Sequence, residues 1–288
     1  MPKIDSYRAA LQSLPLSEWE AYLLAESGLP GPRGNLELAQ AAAEAAGGAR
    51  PGGEAREQKA LLDLLARWRL LTLAQAPVNS AQEYLVFCGV LVLGWALTDS
   101  GGAGGTEAKN AALKELRAFA SDPRWRTREA VAMALQHWGA ADLAGMLGEM
   151  ADWAGGSPFE QRAVVAALCE PAVLLRAGKE PDPAAAESEI FDILDRITAA
   201  FGAVVGVEPP EGGASRRRSE GFQALKKGLA YGWSVAVAYL PQAGRARLER
   251  WFATSDPDLR WVLRENLKKA RLERLDAAWV AYWKERMA

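Results

Sequence analysis

The sequence predicts an all-α protein in which antiparallel helix pairs stack side by side into an elongated superhelix, an α-solenoid. Three observations carry that expectation. Half of the 288 residues are hydrophobic and 24% are charged, and Ala and Leu dominate, which favours helix and a large core over disorder. Apolar residues recur at steps of three and four, the period of one buried stripe on a helix. A start device, Ser-Asp-Pro, opens segments at 121–123 and 255–257, and AVVAAL at 163–168 echoes AVAMAL at 130–135, an offset of 33 residues. That offset is near the length of helix-pair repeats.

The stretch Ser121 to Trp138 organises the rest. Asp122 can cap a helix by accepting a free backbone N–H, and Pro123 suits the first helical position, where its missing N–H costs nothing. Ala130, Val131, Ala134, Leu135 and Trp138 then form one apolar stripe. Trp125 falls nearly opposite it, beside Arg128, Glu129 and Gln136. An aromatic on the polar side has two readings: a neighbouring hairpin covers it, or it is exposed for binding. The related stretch 255–270 repeats the device, with Asp256 before Pro257 and a stripe of Leu259, Val262, Leu263, Leu267 and Ala270. Trp261 projects to the far side, among Arg260, Arg264, Lys268 and Arg271.

The N-terminal elements follow the same logic. A short helix is expected over 3–14. A second starts at Ser17, whose spacing to Glu20 matches a capping box, and ends near Gly28. Residues 29–35, LPGPRGN, form a Pro/Gly turn; they lack the Gly-Lys-Ser/Thr ending of a phosphate-binding loop and follow no strand. Asn35 can cap a helix over 36–46. Residues 47–53 read as a flexible loop. A long helix over 54–75 carries Leu61, Leu62, Leu64, Leu65, Trp68 and Leu71 and stops at Pro77. Ser80 and Glu83 form a second capping box, opening an apolar helix to Leu97. Gly89 and Gly94 weaken that helix by about 1 kcal/mol each relative to Ala, which suggests that a neighbour approaches closely there. Residues 99–106, DSGGAGGT, read as a mobile connection before a helix over 107–120.

Beyond the anchor, a helix over 140–154 buries Leu143, Met146, Leu147, Met150 and Trp153. Ser157, Pro158 and Glu160 together mark a strong helix start, running to Cys169, with Pro171 as breaker. Asp182-Pro183 opens a helix over 184–201 with Ile190, Phe191, Ile193, Leu194 and Ile197 inside. Residues 206–219, GVEPPEGGASRRRS, cannot build a core and read as a linker; Arg216, Arg217 and Arg218 there could touch phosphate or an acidic partner, or be solvated. Tyr231, Trp233, Val235, Val237 and Tyr239 alternate as a strand would, yet no strand partner exists, so 228–240 is read as a buried helix ended by Pro241. Helix 243–253 leads to the second Ser-Asp-Pro. A last helix, 272–287, places Leu275, Trp279, Tyr282 and Trp283 on one side, to close the stack.

The formal charge of −2 hides a split. Residues 212–288 hold 16 Lys/Arg against 8 Asp/Glu, and residues 1–211 hold 18 against 28. The expected organisation is therefore an acidic set of repeats over 1–211 and a basic set over 212–288, continuous in one solenoid. The asymmetry fits a nucleic-acid or acidic-partner surface, a self-complementary dimer, or solvated helix faces. The start MPKIDSYRAA has no apolar signal core, and the longest uncharged apolar run, Tyr84 to Leu97, has 14 residues, too few to cross a bilayer. A cytoplasmic protein without membrane contact is expected.

Little chemistry is legible. His137 is the single histidine and Cys88 and Cys169 stand far apart in apolar runs, so a Cys/His zinc site is excluded and both thiols read as small buried hydrophobes. A Ser-His-Asp triad would need His137, and Gly-x-Ser-x-Gly is absent. No dinucleotide fingerprint appears, and no cofactor is expected. Carboxylates abound, but no spacing singles out a general base.

The Asp-Pro turns, the Arg-x-Ala-Val helix and the two-helix pacing resemble HEAT-like repeats over residues 105–288 and, weakly, the N-terminal part. The resemblance implies a scaffold, because most proteins of that class bind partners along a concave face. It is also distantly similar to the HEAT-repeat alkylpurine DNA glycosylases, which use a basic concave face, aromatic side chains and a carboxylate without His or metal; no position here matches that carboxylate. The leading expectation is a non-enzymatic scaffold for a protein partner. The alternative is a DNA-binding, glycosylase-like protein in which Arg124, Trp125, Arg128, Arg260, Trp261, Arg264 and Lys268 contact backbone or base.

Overall fold

In the computed structural model, residues 3–47, 55–98, 102–203 and 217–287 are described, excepting the side chains of 55 and 102–104. Among them the fold is all-helical, without a strand. The elements are α1 (Lys3–Ser13), α2 (Leu16–Glu26), α3 (Leu36–Gly47), α4 (Ala55–Arg69), α5 (Ala81–Leu91), α6 (Leu93–Thr98), α7 (Gly102–Phe119), α8 (Trp125–Ala141), α9 (Leu143–Trp153), α10 (Pro158–Leu168), α11 (Pro171–Ala177), α12 (Pro183–Ala203), α13 (Glu220–Tyr239), α14 (Pro241–Glu249), a 3-10 turn (Arg250–Ala253), α15 (Pro257–Leu267), α16 (Ala270–Leu275) and α17 (Ala277–Arg286). Backbone contacts divide the chain into two compact units, 1–138 and 139–288. The change of charge sign near residue 211 falls inside the second unit.

The helix starts follow the sequence signals wherever a side chain can reach the free N–H groups. Asn35 Oδ1 accepts from Leu38 N, Ser80 from Glu83 N, Asp182 from Ala185 N and Asp256 from Leu259 N; α9, expected from 140, starts instead at Leu143 on a cap from Asp142 to Gly145 N. The box of Ser157 and Glu160 closes in both directions. Several boundaries differ from the sequence reading. α2 starts at Leu16 with no side-chain cap, which places Ser17 inside the first turn; the Glu20 carboxylate instead accepts from Trp68 Nε1 at 3.2 Å. α4 stops at Arg69 rather than Gln75, and Thr72 and Gln75 close a turn on each other. The apolar helix over 81–97 breaks at Val92, where Trp95 N reaches back only three residues to Val92 O. Residues from Gly102 onward are helical rather than loop. The last helix divides at Asp276, whose carboxylate caps α17 through Trp279 N.

In the first unit α1 packs on α3, α4 and α3 on α5, and α6 on α7. The close approaches expected at two glycines are present. A Cβ on Gly89 would lie 2.5 Å from Leu65 O, and one on Gly94 would lie 2.7 Å from Ala134 O. The apolar segment Ala81–Thr98 has the length and composition of a membrane span, but 72% of it is buried within the fold. The burial matches the core segment anticipated from the sequence, although it is formed by two helices, α5 and α6, rather than one.

In the second unit α13 is central, touched by α10, α11, α12, α14, α15 and α16. Its residues 232–237 are all buried, so no single stripe shows in the sequence, which explains the strand-like alternation there. Tyr231 and Tyr239 nevertheless remain 51% and 42% exposed. Asn266 of α15 is fully buried against this helix: its Oδ1 accepts from Ser234 N at 2.7 Å and its Nδ2 donates to Leu229 O at 2.9 Å. Trp233 donates to Thr198 Oγ1 at 3.0 Å. Ala270, expected on the stripe of α15, is exposed because that helix ends at Leu267. Leu275 and Tyr282 are likewise exposed rather than packed; Leu272, Val280 and Met287 are the buried residues of the C-terminal segment. Of the loop expected over 47–53, Gly47 is the last residue of α3; residues 48–53, 99–101 and 204–216, with Arg216, lie outside the described residues.

Candidate interaction site

Two stretches of candidate residues belong to different units, and each is described by itself. In the first unit, regular helix begins only at Trp125, so Pro123 lies ahead of it and Asp122 is not its N-cap; Asp122 Oδ1 instead accepts from Arg124 N at 2.8 Å, closing a turn before the helix. The same carboxylate holds the Arg124 guanidinium, which also donates to Leu71 O at 3.0 Å. Arg128 Nη1 donates to Asp122 O at 2.6 Å. Arg124 and Arg128 are 4% and 6% exposed, so both guanidinium groups are turned into the fold rather than toward a ligand.

Arg126, not singled out in the sequence, is the structural cation of this region. Its Nη1 lies 3.2 Å from Glu83 Oε2, with the two side chains 5% and 0% exposed. Its Nη2 donates to Gly31 O at 2.6 Å. Glu83 Oε2 also accepts from Asn79 N at 2.6 Å, and Asn79 Oδ1 accepts from Gly31 N at 3.2 Å. The segments 27–35, 70–80 and 121–125 are thereby tied together at the N-terminus of α8. Trp125 stands on this base, 45% exposed, with the Arg126 guanidinium 4.3 Å from its ring centre. Among the described residues no hairpin buries it, contrary to the first of its two readings. Leu70, Leu73 and Val78 of the adjoining segment are 72%, 46% and 50% exposed.

The first unit also holds a cleft of about 750 Å³, within the range of ligand pockets, whose lining includes Leu62, Ala66, Trp95 and Ala108. Arg69 and Glu115 pair across its wall at 2.5 and 3.1 Å. Beside it His137 stacks on Trp95, with ring centres 3.9 Å apart; burial lowers its pKa, against a raising contribution from Glu44.

In the second unit two of the described candidate cations, Arg217 and Lys268, are paired with carboxylates. Arg217 bonds Asp256 at 2.9 Å and also pairs with Asp258. Lys226 bonds Asp258 at 2.7 Å and lies 4.6 Å from the centre of the half-buried Trp261 ring. Arg260 donates to Met287 O at 3.2 Å. Lys268 pairs with Glu265 at 2.5 Å. Arg218 and Arg264 are exposed. A shallow depression between α12 and α14 is closed electrostatically: Asp195 accepts from Arg247 and Arg250, and from Trp251 Nε1 at 2.7 Å.

What sequence reasoning missed lies on α13 and α16. The Arg271 guanidinium sits 4.2 Å from the centre of the exposed Tyr231 ring, with Lys269 Nζ at 6.0 Å. Lys227, exposed, precedes Tyr231 by one helical turn. The available signal was Lys227 and Tyr231 at i, i+4, masked by the apolar alternation that follows. Burial pushes the Cys169 thiol up to about 12 and raises that of Cys88 as well. Among the described residues no group of three His, Cys, Asp or Glu is placed to hold a metal ion. No protein-family model matches this chain and no curated protein matches it, so its function is read from its own residues.

Proposed function

We propose that this chain is a non-enzymatic helical-repeat scaffold, HEAT-like in its stacking of helix pairs, that binds a protein partner in the cytoplasm. The carrying observation is the end of the first unit where Trp125, Leu70, Leu73 and Val78 are exposed on a base fixed by the buried Glu83–Arg126 pair. Apolar groups exposed together on a rigid support are the usual makings of a protein interface, with a large aromatic as its anchor. The burial of Arg124 and Arg128 supports this reading over nucleic-acid binding, because cations turned inward release no counterions from a phosphate backbone.

Affinity capture from a lysate of the encoding organism tests the proposal, using the whole chain and a Trp125→Glu, Leu73→Glu variant. A discrete protein retained by the unsubstituted chain and lost with the variant, at unchanged helical circular dichroism, is the expected result. Retention that survives both substitutions, or none at all, overturns it. Retention of duplex DNA, falling steeply with salt, would transfer the reading to the nucleic-acid alternative.

A further inference from the structure

We infer that the second unit carries a separate recognition surface for an acidic peptide segment, built from Arg271 on Tyr231 with Lys269 and Lys227. The inference rests on the scaffold reading, since it names a second class of contact that a scaffold would make. Four observations lead to it.

First, several cations of this unit already have carboxylates, while Arg274, one turn along from Arg271, bonds back to Ala270 O. Arg217 and Lys226 are held by Asp256 and Asp258, Arg247 and Arg250 by Asp195, Arg245 by Asp276, and Lys268 by Glu265. Among the described residues none pairs with Arg271, Lys269 or Lys227. Second, Arg271 is pre-positioned. A guanidinium laid on an aromatic face keeps its N–H edge open while its place is fixed, so a bidentate carboxylate would order little on binding. Tyr231 is itself anchored: α13 is buried on either side of it, and its carbonyl accepts from Ser234 Oγ at 2.7 Å. Third, the exposed Arg264 does not belong to this surface. Asn266 faces α13, and two residues away along α15 is about 200° around the helix, so Arg264 stands on its far side.

The fourth observation selects a peptide over nucleic acid. A base would stack on an open aromatic face, and here a guanidinium already lies on the Tyr231 ring. The cations at hand are also fewer than the roughly six to ten phosphate contacts of a typical duplex interface. Carboxylates spaced along an extended or helical segment need only this small set.

Fluorescence anisotropy with a labelled oligoglutamate peptide tests the inference on the whole chain, with an oligothymidylate of matched charge as competitor probe. Arg271→Gln is expected to weaken oligoglutamate binding about tenfold, the worth of one charge-assisted pair. Arg271→Lys, which keeps the charge and loses the fork, should fall between. Tyr231→Leu removes no charge but removes the platform, and should weaken binding about threefold. Arg264→Gln should change it less than about twofold. No binding, an equal loss from Arg264→Gln and Arg271→Gln, or an unaffected Tyr231→Leu variant would each overturn the inference, as would tighter binding of the oligothymidylate. The Trp125 capture experiment concerns the other unit, so failure here leaves that result standing, and the reverse.

Discussion

Replacing Glu83 by Gln should be among the most damaging single changes in the first unit. The substitution keeps the shape and deletes the charge that faces Arg126, whose side chain is only 5% exposed. Removing one partner of a buried ion pair typically costs ~3–5 kcal/mol, because the other charge is left without compensation. Two features place this pair toward the lower end. Arg126 keeps its bond to Gly31 O and its stack on Trp125, and Glu83 Oε1 and Arg126 Nε have no hydrogen-bond partner, so the pair is imperfect from the start. We expect a loss of about 3 kcal/mol. Ser80→Ala, which removes the cap bond of the same helix turn and the exposed hydroxyl bond to Pro77 O but no charge, should cost about 1 kcal/mol and separates the two contributions. In the Glu83→Leu, Arg126→Met double variant no charge is buried, and its stability should exceed that of Glu83→Gln alone. Urea unfolding followed by circular dichroism gives the loss. Hydrogen exchange of peptides from α5 and α8 locates it, which matters because a chain of two units need not unfold in one step. A loss below about 1 kcal/mol for Glu83→Gln, or a double variant as unstable as the two single losses added, would refute the view that this pair holds the α8 end together.

Three further predictions concern other parts of the fold. Gly89→Ala should destabilise by ~1–3 kcal/mol, because its Cβ would lie 2.5 Å from Leu65 O and 2.9 Å from Arg69 N, both backbone atoms that cannot swing aside; thermal denaturation measures this. Burial lowers the pKa of His137 in the fold, so its neutral form is favoured there. The linked stability is present above the ordinary histidine pKa of about 6.5 and is lost as pH falls through that value toward the folded one; His137→Phe should flatten urea midpoints between about pH 7.5 and 5.5. Cys88 and Cys169 are buried with raised thiol pKa values, that of Cys169 about 12, so a thiol reagent should leave both untouched in the native state and label both in denaturant.

Local signals were read well where their cause is local. A cap needs only a side chain two or three residues from a free N–H, so Ser157, Asp182 and Asp256 could be found from spacing alone, whereas Asp122 spends its carboxylate on Arg124 ahead of the helix. The Ser17–Glu20 box failed because Glu20 has a better use, the Trp68 indole 48 residues away, and no window around Ser17 contains that residue. Helix ends at Arg69, Val92 and Leu275 were missed for a related reason. Nothing in the flanking residues forbids continuation, and side-chain closure at Thr72 or a cap at Asp276 ends the ladder instead.

The sequence by itself determined that the chain is helical, which stripes are buried, where the glycine contacts fall and that the thiols are structural. Each of these follows from periodicity, propensity and volume, properties a residue carries with it. Only the tertiary structure decided which charges are free. Arg124, Arg128, Arg217 and Lys226 look like surface cations in a linear string, and Arg271 looks no different from them. Whether a carboxylate or carbonyl from a distant helix meets a guanidinium depends on packing angles that no local pattern encodes. That is why, among the exposed aromatics, Trp125 stands on an arginine committed to the interior and Tyr231 beneath an arginine without a carboxylate partner.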